Sequence, residues 1–447
     1  MKILLIAAID PYFEPHSRFP NLGLGYLASA ILHKFPTFDI RITGRDVKKT
    51  LTSWRPDLVG ITSISANYDF AKQYAKDAKQ LNIPVIIGGP HITTLPETMT
   101  EDMAFAVMGE GEQTIIELVD ALLNHKPVSG IRGIAYRYGG GSLNLTQPRE
   151  LIEPIDKIRP PARHLLKIRK HAGIFSSRGC PYRCVFCFSC RFWQKVRYFS
   201  AEYVIEELRQ MAKDYDVRRV SFYDDLMIAN LERLEKLVEM INQDPVLRKI
   251  KYKLNARANL VTDKMARLLS KMHVDAVGFG MESGNDRVLR YLKGVSVSVH
   301  DNYAAVKNLH RYGIAASASF IIGSPDETEA EIQDTYDFIN NSGLDFVDTY
   351  VLIPYPGTPI WDYAKSIGAV TDKDMDWKRL DVYHAKVENP VILSRTISKE
   401  RMAKINNKFQ RQRIFLAMKK AWFHPLFPDF CRGGIEKLKC QVSQLSS

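Results

Sequence analysis

The constraint that most limits this chain is an alternation that occurs twice. Over roughly the first 135 residues, short apolar runs rich in Val, Ile and Leu alternate with longer helical patterns, and the alternation resumes at Gly173. A chain of 447 residues exceeds what one core can hold, so two βα blocks imply at least two domains. Strands joined by helices pair in parallel, and continuous apolar strands suit a sheet covered on both faces. In the first block, strands are expected at 2–8, 39–43, 57–63, 84–88 and 105–108, with helices at 22–35, 66–81 and 113–123. This predicts an α/β, doubly wound, Rossmann-like parallel sheet over residues 1–136.

Such sheets bind ligands outside the carboxyl ends of their strands. Three polar or glycine-bearing turns fall there: Thr62-Ser63-Ile64-Ser65, Gly88-Gly89-Pro90-His91 and Gly109-Glu110-Gly111-Glu112. Glycine lets the backbone approach a bulky ligand closely. Any one of these turns alone needs no ligand to explain it. Three on one edge make Ser63, Gly88, Gly89, His91, Gly109 and Glu110 candidate cofactor-binding positions. Residues 137–172, with Gly139-Gly140-Gly141-Ser142 and Arg159-Pro160-Pro161, read as an extended linker.

The second block, 173–370, holds six βα units, with strands expected at 174–176, 219–223, 252–255, 276–279, 315–322 and 346–353. Six units fall short of the eight that close a barrel, so a partial (β/α)6 barrel of TIM type is expected. Chemistry in such barrels sits at the carboxyl ends of the strands. Those ends carry Asp224-Asp225, Ala256-Arg257, Gly280-Met281-Glu282-Ser283-Gly284 and Gly323-Ser324-Pro325-Asp326-Glu327-Thr328.

The first of these ends runs into Gly179-Cys180-Pro181-Tyr182-Arg183-Cys184-Val185-Phe186-Cys187, followed closely by Cys190. Four of the chain's six cysteines lie in this stretch, and the others are Cys431 and Cys440. In a reducing compartment, clustered cysteines favour metal over disulfides. Structural zinc wants two paired knuckles a dozen or more residues apart, and no second pair stands at that distance. An iron–sulfur cluster takes thiolates from one short loop readily, and three thiolates would leave one iron of a [4Fe–4S] cluster open. A four-cysteine site that includes Cys190 stays open on these grounds.

The C-x-x-x-C-x-x-C spacing, the aromatic Phe186 before the third cysteine, and the position after the first strand of a six-unit barrel resemble the radical S-adenosylmethionine superfamily. The resemblance covers about residues 170–365. It implies Cys180, Cys184 and Cys187 as ligands of a [4Fe–4S] cluster whose open iron chelates S-adenosylmethionine. It also implies cleavage of that cofactor to a 5′-deoxyadenosyl radical. It places Asp225 near the methionine amine, Arg257 near its carboxylate, Glu282 at the ribose and Gly323 in the motif that cradles the adenine. Cys190 has no counterpart. Residues 1 to about 125 resemble the cobalamin-binding domain fused to enzymes of this superfamily. The histidine motif that ligates cobalt elsewhere is absent from residues 10–19, so His16 is expected to be a plain loop residue.

Excess basic charge is local. Of the formal net charge of +12, residues 391–447 supply +9, from twelve Lys/Arg and three Asp/Glu. A helix is expected at 398–420, with Met402, Ile405, Phe409 and Leu416 near one face. It is followed by Trp422, Phe423, Leu426, Phe427 and Phe430. This region, 371–447, either closes the open side of the barrel or meets an anionic membrane surface or lipid-like substrate. A nucleic-acid partner is not expected. Residues 1–10 lack a cleavage site and read as a first strand, and no apolar run reaches the ~18 residues of a spanning helix. A cytoplasmic protein is expected, with peripheral membrane association as the option that its C-terminal region offers.

The expected activity is cobalamin-dependent methyl transfer to an unactivated carbon of a small-molecule or lipid-like substrate, with flavodoxin or ferredoxin as electron donor. Ring closure or rearrangement by the same architecture is the alternative within the family. A radical enzyme without cobalamin, and a non-catalytic cobalamin or redox sensor, are the alternatives outside it.

Overall fold

The computed structural model describes residues 1–9, 20–137, 141–373, 375–381 and 389–421. The loop containing His16, part of the glycine run at 139–142, the aromatic stretch from Trp422, and Cys431 and Cys440 lie outside these residues.

The first domain runs β1 (Lys2–Ala7), α1 (Leu22–Lys34), β2 (Asp39–Thr43), α2 (Val47–Trp54), β3 (Leu58–Thr62), α3 (Tyr68–Lys79), β4 (Val85–Gly88), α4 (Pro90–Thr94), β5 (Phe105–Val107) and α5 (Gly111–Leu123). Its sheet has the order β2-β1-β3-β4-β5, all parallel. Ile3 to Ala7 of β1 are buried in succession, as expected of a strand with helices on both faces. Leu24, Ala28 and Ile31 of α1 join Leu118 and Val119 of α5 in the cluster on one face. Leu51 of α2 and Ala71 and Ala75 of α3 join the cluster on the other. Helix α2 has no counterpart in the sequence reading. It is eight residues long and buries only Val47, Leu51 and Trp54, too short a periodic signal to stand out.

The expected linker is a packed structure. β6 (Ile134–Arg137) and β7 (Leu143–Leu145) extend the sheet antiparallel beyond β5, so the first domain runs past residue 136. Ile152, Ile155 and Ile158 are then buried in the core of the second domain. Arg163 is also buried, and its guanidinium pairs with Glu207 and donates to the carbonyl of Gly173 at 3.0 Å.

The second domain contributes β8 (His171–Ile174), β9 (Ser177–Arg178), α6 (Ser189–Phe192), β10 (Arg197–Tyr198), α7 (Ala201–Tyr215), β11 (Arg219–Phe222), α8 (Leu231–Gln243), β12 (Lys251–Ala256), α9 (Asp263–Lys271) and β13 (Val274–Glu282). It continues with α10 (Asp286–Lys293), α11 (Val299–Arg311), β14 (Ala315–Ile322), α12 (Glu329–Asn341) and β15 (Phe346–Val351). The order β15-β14-β13-β12-β11-β8, parallel throughout, is the open six-stranded barrel that the sequence implied. Ser200, Asn230, Thr262, Ser298 and Thr328 each cap the helix that follows, so these five helix starts are set locally. Along β14, Ala316, Ala318, Phe320 and Ile322 are buried under the helices, while Ser317 and Ser319 alternate with them onto the concave face.

Two later segments complete the molecule. α14 (Lys399–Ala421) buries Met402, Ile405 and Phe409 and covers the edge strand β15, with Gln410 Nε2 on the carbonyl of Thr349 at 3.3 Å. Before it, α13 (Pro359–Ser366) and the turn Trp377–Leu380 return to the first domain. Trp361 and Trp377 stack with ring centroids 6.2 Å apart, and Trp377 sets its edge against His91 at 4.5 Å. One apolar cluster holds Val59, Ile61 and Ile87 together with Trp361, Trp377 and Leu393, so the two domains share a core. Burying a large side chain contributes about 1.5–3 kcal/mol, so the two tryptophans alone make this contact hard to separate.

Candidate active site

The cysteine loop is held from three directions. β9 and β10 pair antiparallel, closing the segment 179–196 at its neck. Gly179 sits at φ +98°, and a Cβ there would lie 2.6 Å from the carbonyl oxygen of Lys195, so the neck requires glycine. Asp224, at the end of β11, turns back to the strand before the loop. It accepts from the Ser176 amide at 2.7 Å and from the Ser176 and Ser177 hydroxyls at 2.6 Å each. On the far side, the amide of Val185 donates to the carbonyl of Leu292 at 3.0 Å.

Cys180, Cys184, Cys187 and Cys190 are all partly buried and none is in a disulfide. Arg191 ties the loop together, donating to the carbonyls of Cys187 at 2.5 Å and Cys184 at 3.3 Å and reaching Cys190 Sγ at 3.3 Å. Burial pushes the Cys187 thiol up to about 12 and raises that of Cys180. Thiols in such surroundings ionise against a cationic metal centre, which displaces their protons. Among the described residues, no three His, Cys, Asp or Glu side chains converge tightly enough to chelate a single ion. Three thiolates on one short loop are the donor set that a [4Fe–4S] cluster takes, with one iron left open.

Of the residues expected at S-adenosylmethionine, Arg257 and Asp225 touch this loop. Arg257 leaves the end of β12 and places Nη1 3.7 Å from Cys184 Sγ, while Nη2 donates to Ser296 Oγ at 2.9 Å and the Lys293 carbonyl at 3.0 Å. Glu282 ends β13 at φ +66°, a left-handed conformation that is costly for a side-chain-bearing residue and collects at functional sites. A side chain at Gly280 would overlap the Glu282 carboxylate, so that glycine makes room for it. Lys293 faces Glu282 at 4.0 Å and donates to the carbonyl of Gly280. Burial outweighs their attraction in both: the Glu282 carboxyl is raised and the Lys293 ammonium lowered.

Gly323, at φ +83°, and Ser324 donate their amides to Glu327 Oε2 at 2.7 and 3.1 Å. Ser324 Oγ, Glu327 Oε1 and Arg257 Nε are buried without a partner among the described residues. Unpartnered buried polar atoms at two strand ends are what an absent polar ligand leaves behind. Asp225 accepts from the Ser189 hydroxyl and the Gly179 amide, which ties it to the rim of the cysteine loop.

On the first domain, the three turns divide. Ser63 is buried and its hydroxyl has no partner among the described residues. Gly109, at φ +73°, has open space where a Cβ would stand. Gly89 sits at φ +98°, and a Cβ there would lie 2.6 Å from Thr62 Oγ1 and 2.7 Å from the Ser63 carbonyl, so there is no room for a side chain. Gly88 precedes it at the end of β4. An orphaned hydroxyl after β3 and an open glycine turn after β5, on the same sheet edge, fit a large planar cofactor.

Two residues expected there are committed elsewhere. His91 is buried, with Nδ1 3.0 Å from Ser65 Oγ and Nε2 3.1 Å from Thr98 Oγ1, and it stacks on Tyr68. Burial pulls its imidazole down to about 3, so it is a neutral packing residue beneath the turn. Glu110 turns toward the second domain, where Arg178 and Arg197 occupy both of its oxygens. The sequence placed both on the right edge but could not say which way each side chain turns.

Three participants escaped the sequence reading. Lys293 lies at the end of a helix that was not anticipated, and Arg178 and Arg197 flank the cysteines without any motif of their own. Arg178 stands directly before Gly179-Cys180, and that adjacency was the one available signal.

A parallel six-stranded open barrel with a three-cysteine loop on its first strand, sharing a core with a doubly wound domain, defines a two-cofactor enzyme. Residues 174–339 match the radical SAM superfamily and residues 14–119 match the B12 binding domain. An uncharacterized methyltransferase of Pyrococcus horikoshii is 34% identical over 435 residues, covering 91% of each chain. A bacteriochlorophyllide d C-12(1)-methyltransferase of Chlorobaculum tepidum is 27% identical, covering 79% of this chain and 74% of its own. Among solved structures, the radical S-adenosylmethionine methyltransferase TsrM from Kitasatospora setae, with tryptophan and a cofactor analogue bound, superimposes with a TM-score of 0.70 at 18% identity. That match covers 83% of this chain and 77% of TsrM. The chain belongs to the radical S-adenosylmethionine superfamily, in the group that carries a B12-binding domain. Its cofactors are a [4Fe–4S] cluster, S-adenosylmethionine and cobalamin.

Proposed function

We propose that this enzyme transfers a methyl group to an unactivated carbon of a small-molecule or lipid-like substrate. The observation that carries this reading is the seating of the turn after β5 against the neck of the cysteine loop, Glu110 to Arg178 at 2.6 Å, which sets the two cofactor sites side by side. When bound, the cluster supplies the electron that splits S-adenosylmethionine, and cobalamin supplies a methyl carrier.

Cys180, Cys184 and Cys187 are the proposed cluster ligands, and Arg191 holds the carbonyls between them. Arg257 sets a cation beside Cys184, where it can receive the carboxylate of S-adenosylmethionine. Glu282 is placed to accept hydroxyl donors, with Lys293 balancing its charge. Gly323 and Ser324 form the cradle that Glu327 clasps from below. Ser63 offers a hydroxyl to cobalamin across the open Gly109 turn. Trp361 and Trp377 seal the domain junction and exclude water from it.

The test is anaerobic. Reconstituted protein with hydroxocobalamin, dithionite and S-adenosylmethionine is incubated with and without a lipid extract, and 5′-deoxyadenosine and S-adenosylhomocysteine are quantified. Methyl transfer gives both in the presence of substrate. Ring closure or rearrangement gives 5′-deoxyadenosine without S-adenosylhomocysteine, and a sensor gives neither. A flavodoxin or ferredoxin is the proposed electron donor.

Surface association is a second reading of the basic C-terminal region. Ile414, Phe415 and Met418 of α14 are exposed beyond the part that packs on β15. No helix among the described residues is long and apolar enough to cross a membrane, so the contact proposed is peripheral. Removing residues 422–447 should reduce co-sedimentation with anionic liposomes, and equal sedimentation would discard it.

A further inference from the structure

The neck of the cysteine loop carries a charge conflict that the loop cannot resolve by itself. Arg178 and Arg197 are direct cross-strand partners in β9 and β10. Like charges facing each other across a strand pair oppose its formation, and an isolated pair this short has no stability of its own. Both guanidinium side chains are nonetheless nearly enclosed, at 7% and 5% exposure.

The countercharge comes from the other domain. Glu110, at 2% side-chain exposure, accepts from Arg178 Nη1 at 2.6 Å through Oε1, and from Arg197 Nη2 at 2.8 Å and Nη1 at 2.9 Å. Glu112 accepts from Arg178 Nη2 at 2.6 Å. The backbone of Ile152 joins in, its amide donating to Glu110 at 2.8 Å and its carbonyl accepting from Arg197 at 2.9 Å. Trp193, inside the loop, lies under both guanidinium groups at 5.2 and 5.8 Å. The two carboxylates stand in the turn that opens at Gly109, and Arg178 is two residues from Cys180. A buried pair that loses one partner leaves an uncompensated charge, so this contact is made whole or fails, unlike a surface ion pair.

We propose that Arg178, Arg197, Glu110 and Glu112 form a positioning clasp that couples the cobalamin site to the cluster site. The neck of the cysteine loop closes when the turn after β5 is seated. Occupancy of the Gly109 side is therefore felt at Cys180, and the reverse. Such coupling is reciprocal: the factor by which the cluster changes cobalamin affinity equals the factor by which cobalamin changes cluster binding. The inference rests on the two-cofactor reading above but not on the reaction assigned to it.

The experiment compares full-length wild type with Glu110→Gln, which keeps the shape and removes the charge. Hydroxocobalamin affinity is titrated on protein with and without the reconstituted cluster, and the cluster midpoint potential is measured with and without hydroxocobalamin. In wild type the cluster should change hydroxocobalamin affinity at least about five-fold, and the potential should move on binding. In Glu110→Gln each group still binds, the affinity ratio falls towards one, and the potential no longer responds. The same ratio in both proteins, or a ratio of one in wild type, overturns the proposal. Should Glu110→Gln not fold, Glu112→Gln, which removes a single contact at the more exposed carboxylate, must give an intermediate ratio; an unchanged ratio is equally fatal. Neither readout needs turnover, so a wrong reaction leaves this result intact. Failure of wild type to bind hydroxocobalamin removes both proposals.

Discussion

Arg257 lies over Tyr182 with its guanidinium carbon 4.0 Å from the ring centroid, and it reaches Cys184 Sγ at 3.7 Å. A cation from β12 is thereby fixed inside the arc of the cysteine loop, between two of the proposed ligands. It is tethered from behind by Ser296 and the Lys293 carbonyl. Replacing it with glutamine keeps some hydrogen bonding but removes the charge and the stacking. Hydrogen bonds to charged groups are worth about 1.5–3 kcal/mol. Arg257→Gln should therefore weaken S-adenosylmethionine binding roughly 10- to 100-fold. It should also move the cluster potential to more negative values, because a nearby positive charge favours the reduced form. Equilibrium dialysis and a redox titration check the two parts separately.

The ligand assignment separates the cysteines. Cys184→Ala should purify with little iron after anaerobic reconstitution and without the broad visible absorbance of a thiolate-bound cluster. Cys190→Ala should retain both, because Cys190 is held by Arg191 and the Cys187 carbonyl and has no place in the three-ligand set. Loss of iron in Cys190→Ala would show a fourth ligand.

Ser63 tests the cobalamin side through two properties that should move in opposite directions. Its hydroxyl is buried and unpartnered among the described residues, an arrangement that costs stability in the apoprotein. Ser63→Ala should leave apoprotein stability equal or raise it by about 1 kcal/mol. The same change should weaken hydroxocobalamin binding several-fold, the worth of one hydrogen bond at roughly 0.5–1.5 kcal/mol. A fall in both would mean that the hydroxyl supports the fold.

Glu327 predicts a pH dependence. Burial raises its carboxyl from an ordinary 4.5 to about 7, even though Oε2 accepts two amides. Between those values the unfolded chain has lost a proton that the folded protein keeps. Folding then takes up a proton, so the stabilising contribution shrinks as pH rises and is gone above about 7. Glu327→Gln cannot titrate, so it should gain on wild type by up to about 3 kcal/mol between pH ~5 and ~8. Urea denaturation of the two apoproteins across that range measures the difference. A constant difference would mean that the carboxylate is ionised throughout.

Much of this was legible beforehand because its causes are local. The apolar runs of β1, β3 and β4 and the cysteine spacing are each set within a few residues. The packed segment around Ile152, Ile155 and Ile158 was not legible, because prolines, glycines and charge surround three isolated isoleucines whose partners lie in another domain. α10 was missed as well, and Lys293 with it, since its apolar stripe of Val288, Leu289 and Leu292 is confined to a helix of eight residues.

What the sequence determined by itself is the set of parts: two parallel βα blocks, three polar or glycine-bearing turns on one edge, and a loop of thiols at the head of the second block. Hydrophobic periodicity and ligand spacing are written in consecutive residues, so the parts need no partner to be recognised. Only the tertiary structure decided what each part faces. Glu110 and His91 share an edge with Ser63 and Gly109. One turns into a clasp with Arg178 and Arg197 and the other is sealed beneath Trp377, because burying charge and aromatic surface across a domain junction overrides any preference of the turn itself.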